Sequence, residues 1–385
     1  MHRAKILSGL LLALLAIVLA VLASLHSASI VLQRTTPDAA LQLRSGNGQA
    51  QGRLAMAQFS AASAQGQSPE VIAKGFEALA LEAVKNEPLN ARAHSILAWA
   101  ASDREKRKRI LDPALQLNRR SSALLALALQ ENTADKDVDG TIQTLNLLLR
   151  VHPETSSELF PALNAALVED SAIASFKRVF AGAPSWQDRF LRQAMSKPEA
   201  IANVALLRRD LEIEQEGLDE MLVKRLVANG QFSEAQVHYA FLQRQIRTKG
   251  PDAFRTSYPP FDWQLADKRE FRAQLSRGGD SIEVFVRSGF GGTLMERIFE
   301  RQSNTFEMSL SHNVEPATQL ENVRIKVRCL GEERALVDES FRSGKLAYSV
   351  PLPAESCDFV KVTIDARSFT GRPSLRGEIT EIVVN

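Results

Sequence analysis

Hydrophobic positions fall in three regimes along the chain. From Ile6 to Leu25 the stretch "ILSGLLLALLAIVLAVLASL" holds no charged residue and no proline. From Asp38 to about Ile246 the apolar residues recur at helical spacing, relieved by many alanines and few β-branched runs, which predicts successive amphipathic helices. Beyond the segment "RTKGPDAFRTSYPPF", whose Gly250, Pro251, Pro259 and Pro260 stop a helix, the period becomes two. Ile282, Val284 and Val286 alternate, as do Phe306, Met308 and Leu310. Val323, Ile325 and Val327 repeat the pattern, and so do Val360, Val362 and Ile364. Short alternating segments between turn residues predict a two-sheet β-sandwich or jelly roll.

The first regime sets location. Twenty residues at the helical rise make about 30 Å, the thickness of a bilayer's hydrocarbon core. Arg3 and Lys5 precede it, so the N-terminus is expected in the cytoplasm and everything after Arg34 on the far side of the inner membrane. Two readings stand. The run exceeds the usual apolar region of a signal peptide, which favours an uncleaved single-pass anchor; small residues at 21–23 and 27–29 leave a cleavable signal open.

The second regime contains self-similar pieces. "AVKNEPLNARAHSILAWA", "LQLNRRSSALLALAL", "LLLRVHPETSSELFPAL" and "FAGAPSWQDRFLRQAM" each run from a helix end through a turn into the next helix. Their turns fall at Pro88, Arg120, Pro153 and Pro184, at intervals of 32, 33 and 31 residues. An earlier copy, "ALQLRSGNGQAQGRLA", is set apart by the Ala-, Ser- and Gln-rich stretch 60–68. The last, "LDEMLVKRLVANGQFSEAQVHYAFLQR", places Gly230 at a turn and Ala235 where its second helix approaches the first. These intervals are close to the 34-residue period of tetratricopeptide units. The expectation is a degenerate repeat array, an α-solenoid, with an irregular helical bundle as the alternative. The parts are then an anchor at 1–33, a helical repeat domain at 34–248, a linker at 249–260 and a β-sandwich at 261–385.

Charge narrows the partners. With 47 basic and 45 acidic residues the net charge is +2, so the chain has no global field of the kind a nucleic-acid binder shows and no nucleic-acid partner is expected. Cys329 and Cys357, the two cysteines, form no C-x-x-C pair and lie near no histidine cluster. Outside the cytoplasm they read as a structural disulfide; in a reducing compartment they read as two buried thiols. Cys329 continues the inward row of Val323, Ile325 and Val327, so its sulfur is expected in the core.

In its order of parts the chain resembles bacterial membrane-anchored tetratricopeptide proteins associated with exopolysaccharide synthesis and export. Those proteins join an N-terminal anchor, a divergent helical array and a jelly roll similar to carbohydrate-binding modules. The likeness is carried at the entry to the last domain by "PPFDWQL", 259–265, and at its exit by "GEITEIVV", 377–384, with both cysteines between. The resemblance implies a periplasmic setting in exopolysaccharide production.

Chemistry is sparse. No G-x-S-x-G, H-E-x-x-H or G-x-x-x-x-G-K-[ST] occurs, and the six histidines are scattered singly, so neither metal nor cofactor is expected. "SGFGG", 288–292, lies between predicted strands and opens no helix, which makes it a hairpin or bulge turn and not a phosphate loop. Glycoside cleavage needs two carboxyls set across a groove. Asp262, Glu283, Glu296, Glu300, Glu378 and Glu381 offer no spacing that singles out a pair, so no enzyme is expected. Sugar binding without catalysis uses exposed Trp or Tyr. Trp263, Tyr258 and Tyr348 are the candidates toward the C-terminus, Trp263 reading more readily as a core plug because Phe261 and Leu265 flank it. The run "DREKRKR" supplies Arg104, Lys106, Arg107, Lys108 and Arg109. It is either a solvated turn or a contact for an anionic polysaccharide, a lipid headgroup or an acidic partner. Two functions follow: a membrane-tethered scaffold that holds protein partners in a helical groove, and an envelope carbohydrate-binding protein acting through the sandwich.

Overall fold

The computed structural model describes residues 2–215, 217–245, 254–353 and 357–384. Two compact units result, dividing between Gln187 and Asp188.

The first unit is helical. Its first helix, α1 (His2–Leu32), contains the apolar stretch Leu10–Leu32, which alone among the described residues is long and apolar enough to cross a membrane. The basic side chains expected to orient it, Arg3 and Lys5, lie outside the described ones. After α1 come α2 (Pro37–Leu43), α3 (Gly48–Ser63), α4 (Pro69–Asn86), α5 (Ala91–Ala100) and α6 (Arg104–Leu117). Then follow α7 (Ser122–Ala134), α8 (Val138–Val151), α9 (Ser156–Val168) and α10 (Ile173–Phe180). Pro88, Arg120 and Pro153 each fall between two helices. A helix–turn–helix succession at near-constant interval is therefore present, although α3 runs on to Ser63 through half of the stretch read as a separator. Polar caps make the starts. Asn47, Asn90, Asp103, Ser121 and Asp137 each accept a hydrogen bond from the backbone N–H three residues on, satisfying a donor that the helix itself leaves free.

Two of these caps also join helices. The amide of Asn47 donates to the Ser29 hydroxyl at 2.8 Å and that of Asn90 donates to the Gly48 carbonyl at 2.6 Å. Ser29, near the end of α1, is fully buried and donates to the Ala40 carbonyl at 2.9 Å. Small residues let the helices come this close. Ala55, Ala73, Ala80, Ala83 and Ala93 are fully buried in one cluster. A Cβ on Gly48 would stand 2.6 Å from Glu87 Cβ and 2.8 Å from the Ala83 carbonyl oxygen.

The second unit begins with α11 (Gln187–Ala194), α12 (Ile201–Leu211), α13 (Leu218–Ala228) and α14 (Phe232–Gln245). Gly230 makes the α13–α14 turn at φ +73°, a conformation that suits a residue without Cβ, and Ala235 is fully buried. The change of secondary structure expected near residue 249 thus lies within this unit, whose compact boundary is at Asp188. Of the expected linker, residues 249–253 fall outside the described residues.

The sandwich has two five-stranded antiparallel sheets. In chain order the strands are β1 (Gln264–Leu265), β2 (Phe271–Leu275), β3 (Ile282–Val286), β4 (Gly291–Glu300) and β5 (Thr305–His312). After them come β6 (Val323–Cys329), β7 (Val337–Ser340), β8 (Leu346–Pro351), β9 (Phe359–Arg367) and β10 (Leu375–Val384). One sheet is ordered β1-β4-β9-β6-β7 and the other β2-β3-β10-β5-β8. All four alternating rows read from the sequence point inward and are buried. Cys329 and Cys357 are bonded, with Cα atoms 5.0 Å apart and both side chains buried. Closing that loop stabilises the domain by about 3–4 kcal/mol on the chain-entropy account. "SGFGG" proves to be neither a hairpin nor a ladder bulge: β3 and β4 belong to different sheets, so the segment crosses from one to the other. β4 hid from a period-two reading because its register shifts between Thr293 and Met295, which leaves Leu294 and Met295 both buried.

Candidate functional site

The first unit carries a groove of 850 Å³. Its walls are helices that each follow a turn of the succession: Met56 and Phe59 on α3, Arg92 and Trp99 on α5, Ala123 and Ala126 on α7. Ser95 and Ala91 lie between them, and Arg120 and His152 close the sides. Small residues keep the floor low. Phe59 and Trp99 are tilted together with centroids 6.5 Å apart, and the Arg107 guanidinium sits 5.6 Å from the Trp99 ring centroid. Among the described residues, no carboxylate lines this groove. Burial, reinforced by repulsion from Arg53, lowers the pKa of Arg92.

The basic run resolves into a helix start. Asp103 caps α6, and the following residues make its first turns. Arg104 and Arg107 both donate to the buried Glu131 carboxylate of α7, each at 2.8 Å. Lys108 donates to Asp135 at 2.9 Å, and Arg104 also pairs with Asp135. Burial pushes the Glu131 pKa up, but the hydrogen bonds from Arg107 and Arg104 hold it below its ordinary value. Three of the five cations thus tie α6 to α7, which leaves Lys106 and Arg109 exposed to solvent.

The aromatic candidates are scattered. Trp263 is 1% exposed and stands edge-on to Phe299, so it offers no ring face to a sugar. Tyr258 is half-buried at the turn into the sandwich, where burial chiefly raises its pKa. Tyr348 is 8% exposed and likewise lacks an open face, with its pKa pushed up to about 12 mainly by burial. Its hydroxyl is buried without a hydrogen-bond partner, while on the outer face of the same strands Glu307, Ser309 and Ser349 line a depression of 270 Å³.

The six carboxylates considered for glycoside cleavage serve separate bonds. Asp262 is fully buried and accepts from the Tyr239 hydroxyl at 2.7 Å and the Tyr258 N–H at 2.9 Å, so the "PPFDW" turn fastens α14 to the sandwich. Glu296 pairs with Lys361, and Glu381 takes Ser311 and Lys345. Glu283 and Glu378 sit opposite each other on β3 and β10, bonded to Gln274 and Ser281 respectively. Glu300 accepts from Gln236 at 3.0 Å in a cleft of 420 Å³, where α14 meets the ends of β4, β5 and β10. Arg301 in the same cleft is held by the Pro353 and Ser303 carbonyls. Sequence reading missed this cleft because its lining comes from segments far apart in the chain. No group of three or more His, Cys, Asp or Glu suited to a metal occurs among the described residues.

No family model and no curated protein matches the chain. A solved structure, that of TmCBM61 in complex with β-1,4-galactotriose, is similar at 14% identity and a TM-score of 0.25, covering 36% of this chain and 96% of that one.

Proposed function

We propose that the chain is a non-catalytic, membrane-tethered scaffold of the bacterial cell envelope, holding a protein partner in the groove formed by α3, α5 and α7. The observation that carries this reading is the groove itself: residues from three helices, each following a turn of the repeating succession, converge on one concavity. Stacked helical units present extended concave surfaces of this kind to partners. The resemblance to anchored tetratricopeptide proteins supplies the setting, exopolysaccharide synthesis or export. Ala126 is exposed and lines the groove, so a photo-crosslinking residue placed there in living cells is expected to yield a discrete protein adduct. The same residue at exposed Leu117, which does not line the groove, is expected to yield none. Equal labelling at the two positions, or no adduct at Ala126, would sink the proposal.

The second reading, carbohydrate binding through the sandwich, is favoured by the polar depression that Glu307, Ser309 and Ser349 line on β5 and β8. On this reading Glu307→Gln weakens retardation of the protein in polysaccharide-containing native gels. Unchanged retardation, or none in the wild type, argues against it.

A further inference from the structure

We propose that the groove selects an acidic, extended segment of its protein partner, read by Arg92 within it and by Arg120 at its rim. This rests on the scaffold reading and adds the chemistry of the partner. Three observations converge on it. Arg92 lines the groove, close enough to Arg53 to be repelled by it, and a carboxylate is the natural partner for a guanidinium so placed. Arg120 is exposed on the same groove, and no carboxylate among the described residues lines it.

On α6 and α10, by contrast, Arg104, Arg107 and Lys108 have Glu131 and Asp135, and Arg178 has Asp139. The groove differs from these ion-paired faces, and the charge it lacks is negative.

A peptide fits better than an anionic polysaccharide. A sugar ring gains most by stacking on an open aromatic face, whereas Trp99 has Arg107 over its ring and Phe59 tilted against it. Met56, Phe59 and Val151 instead give the groove apolar walls suited to aliphatic side chains, and Ala91, Ser95 and Ala123 leave room for a narrow backbone.

The test uses the full-length protein in detergent micelles and a fluorescein-labelled peptide in which Asp and Glu alternate with Leu. Fluorescence anisotropy is expected to show saturable binding that weakens with salt, and none for the Asn and Gln version of the peptide. Losing one arginine–carboxylate hydrogen bond, R92A should weaken binding about tenfold. R120E, on the exposed rim where folding is not at stake, should weaken it further still. R109A, outside the groove, should leave it unchanged. Binding that ignores R92A and R120E overturns the proposal, and so does arginine-dependent binding of polygalacturonate without peptide binding. The crosslink at Ala126 reports groove occupancy whatever the partner's charge. An adduct there with no preference for the acidic peptide would remove this inference while sparing the scaffold, and no adduct would remove the scaffold.

Discussion

Glu131 shows how one residue converts a conspicuous charge run into architecture. Its carboxylate is only 5% exposed as a residue and takes hydrogen bonds from both Arg104 and Arg107. Because its folded pKa lies below the ordinary value, its stabilising contribution is fully present above the unfolded pKa near 4.5 and fades as pH falls through the folded one. Glu131→Gln keeps the shape, loses the charge, and should cost about 1–3 kcal/mol near neutrality. Thermal melts at pH 7 and at pH 3 check this: the gap between wild type and variant should shrink at the lower pH, and a gap that stays constant argues against the assignment. The sequence made the run visible but not its role, because the acids that neutralise it, Glu131 and Asp135, sit at the end of the following helix. Trp263 was more legible, since Phe261 and Leu265 around it already described a core position. Tyr348 was ambiguous for a physical reason: a tyrosine can serve as a surface platform or, at an inward position of a strand as here, turn its whole side chain, hydroxyl included, into the core.

At the scale of elements the periods of the sequence were good guides wherever packing was regular. Helical turns stand at Pro88, Arg120, Pro153 and Gly230, and the four alternating rows are the sandwich core. What escaped was set by tertiary contact: the register shift that buries two successive residues of β4, and the crossing of "SGFGG" between sheets. The groove was expected as a concavity, but its missing carboxylates could be seen only once α3, α5 and α7 stood side by side. Glycine in α3 gives a sharp test of how closely these helices approach. On an open helix face Gly→Ala gains about 1 kcal/mol. At Gly48 the new methyl would meet Glu87 Cβ at 2.6 Å and a backbone oxygen at 2.8 Å, and overpacking costs about 1–3 kcal/mol. The clash should win because a helix end cannot step aside as a flexible side chain can. Gly48→Ala should therefore lower the melting temperature, while Gly75→Ala in α4, with open space around it, should raise it. A rise at both positions would show that α3 and α4 are not in such close approach.

For the whole molecule the open question at the N-terminus is retention or removal of α1, and Ser29 bears on it directly. The helix does not end where its apolar run ends; it continues to Leu32, and Ser29 within it is buried by hydrogen bonds to Ala40 and Asn47. Asn47, the cap of α3, also donates to the Ser29 carbonyl at 3.3 Å, so the last turn of α1 is tied to the start of α3. Cleavage at the small residues of 27–29 would have to unwind this turn and would loosen the hydrogen bonds that Ser29 makes to the Ala40 carbonyl and takes from the Asn47 amide, at about 1–3 kcal/mol. Retention is the expectation that follows, with the disulfide suiting a domain outside the cytoplasm. Alkaline carbonate extraction should leave the protein in the membrane pellet, and mass spectrometry of its N-terminal peptide should find residues ahead of Leu25. A soluble mature form beginning near Ser29 would refute retention. Ser29→Ala separates the anchor from the fold: it should stay in the pellet yet expose the first helical unit to protease sooner than wild type, because the span is intact and only its buried last turn is loosened.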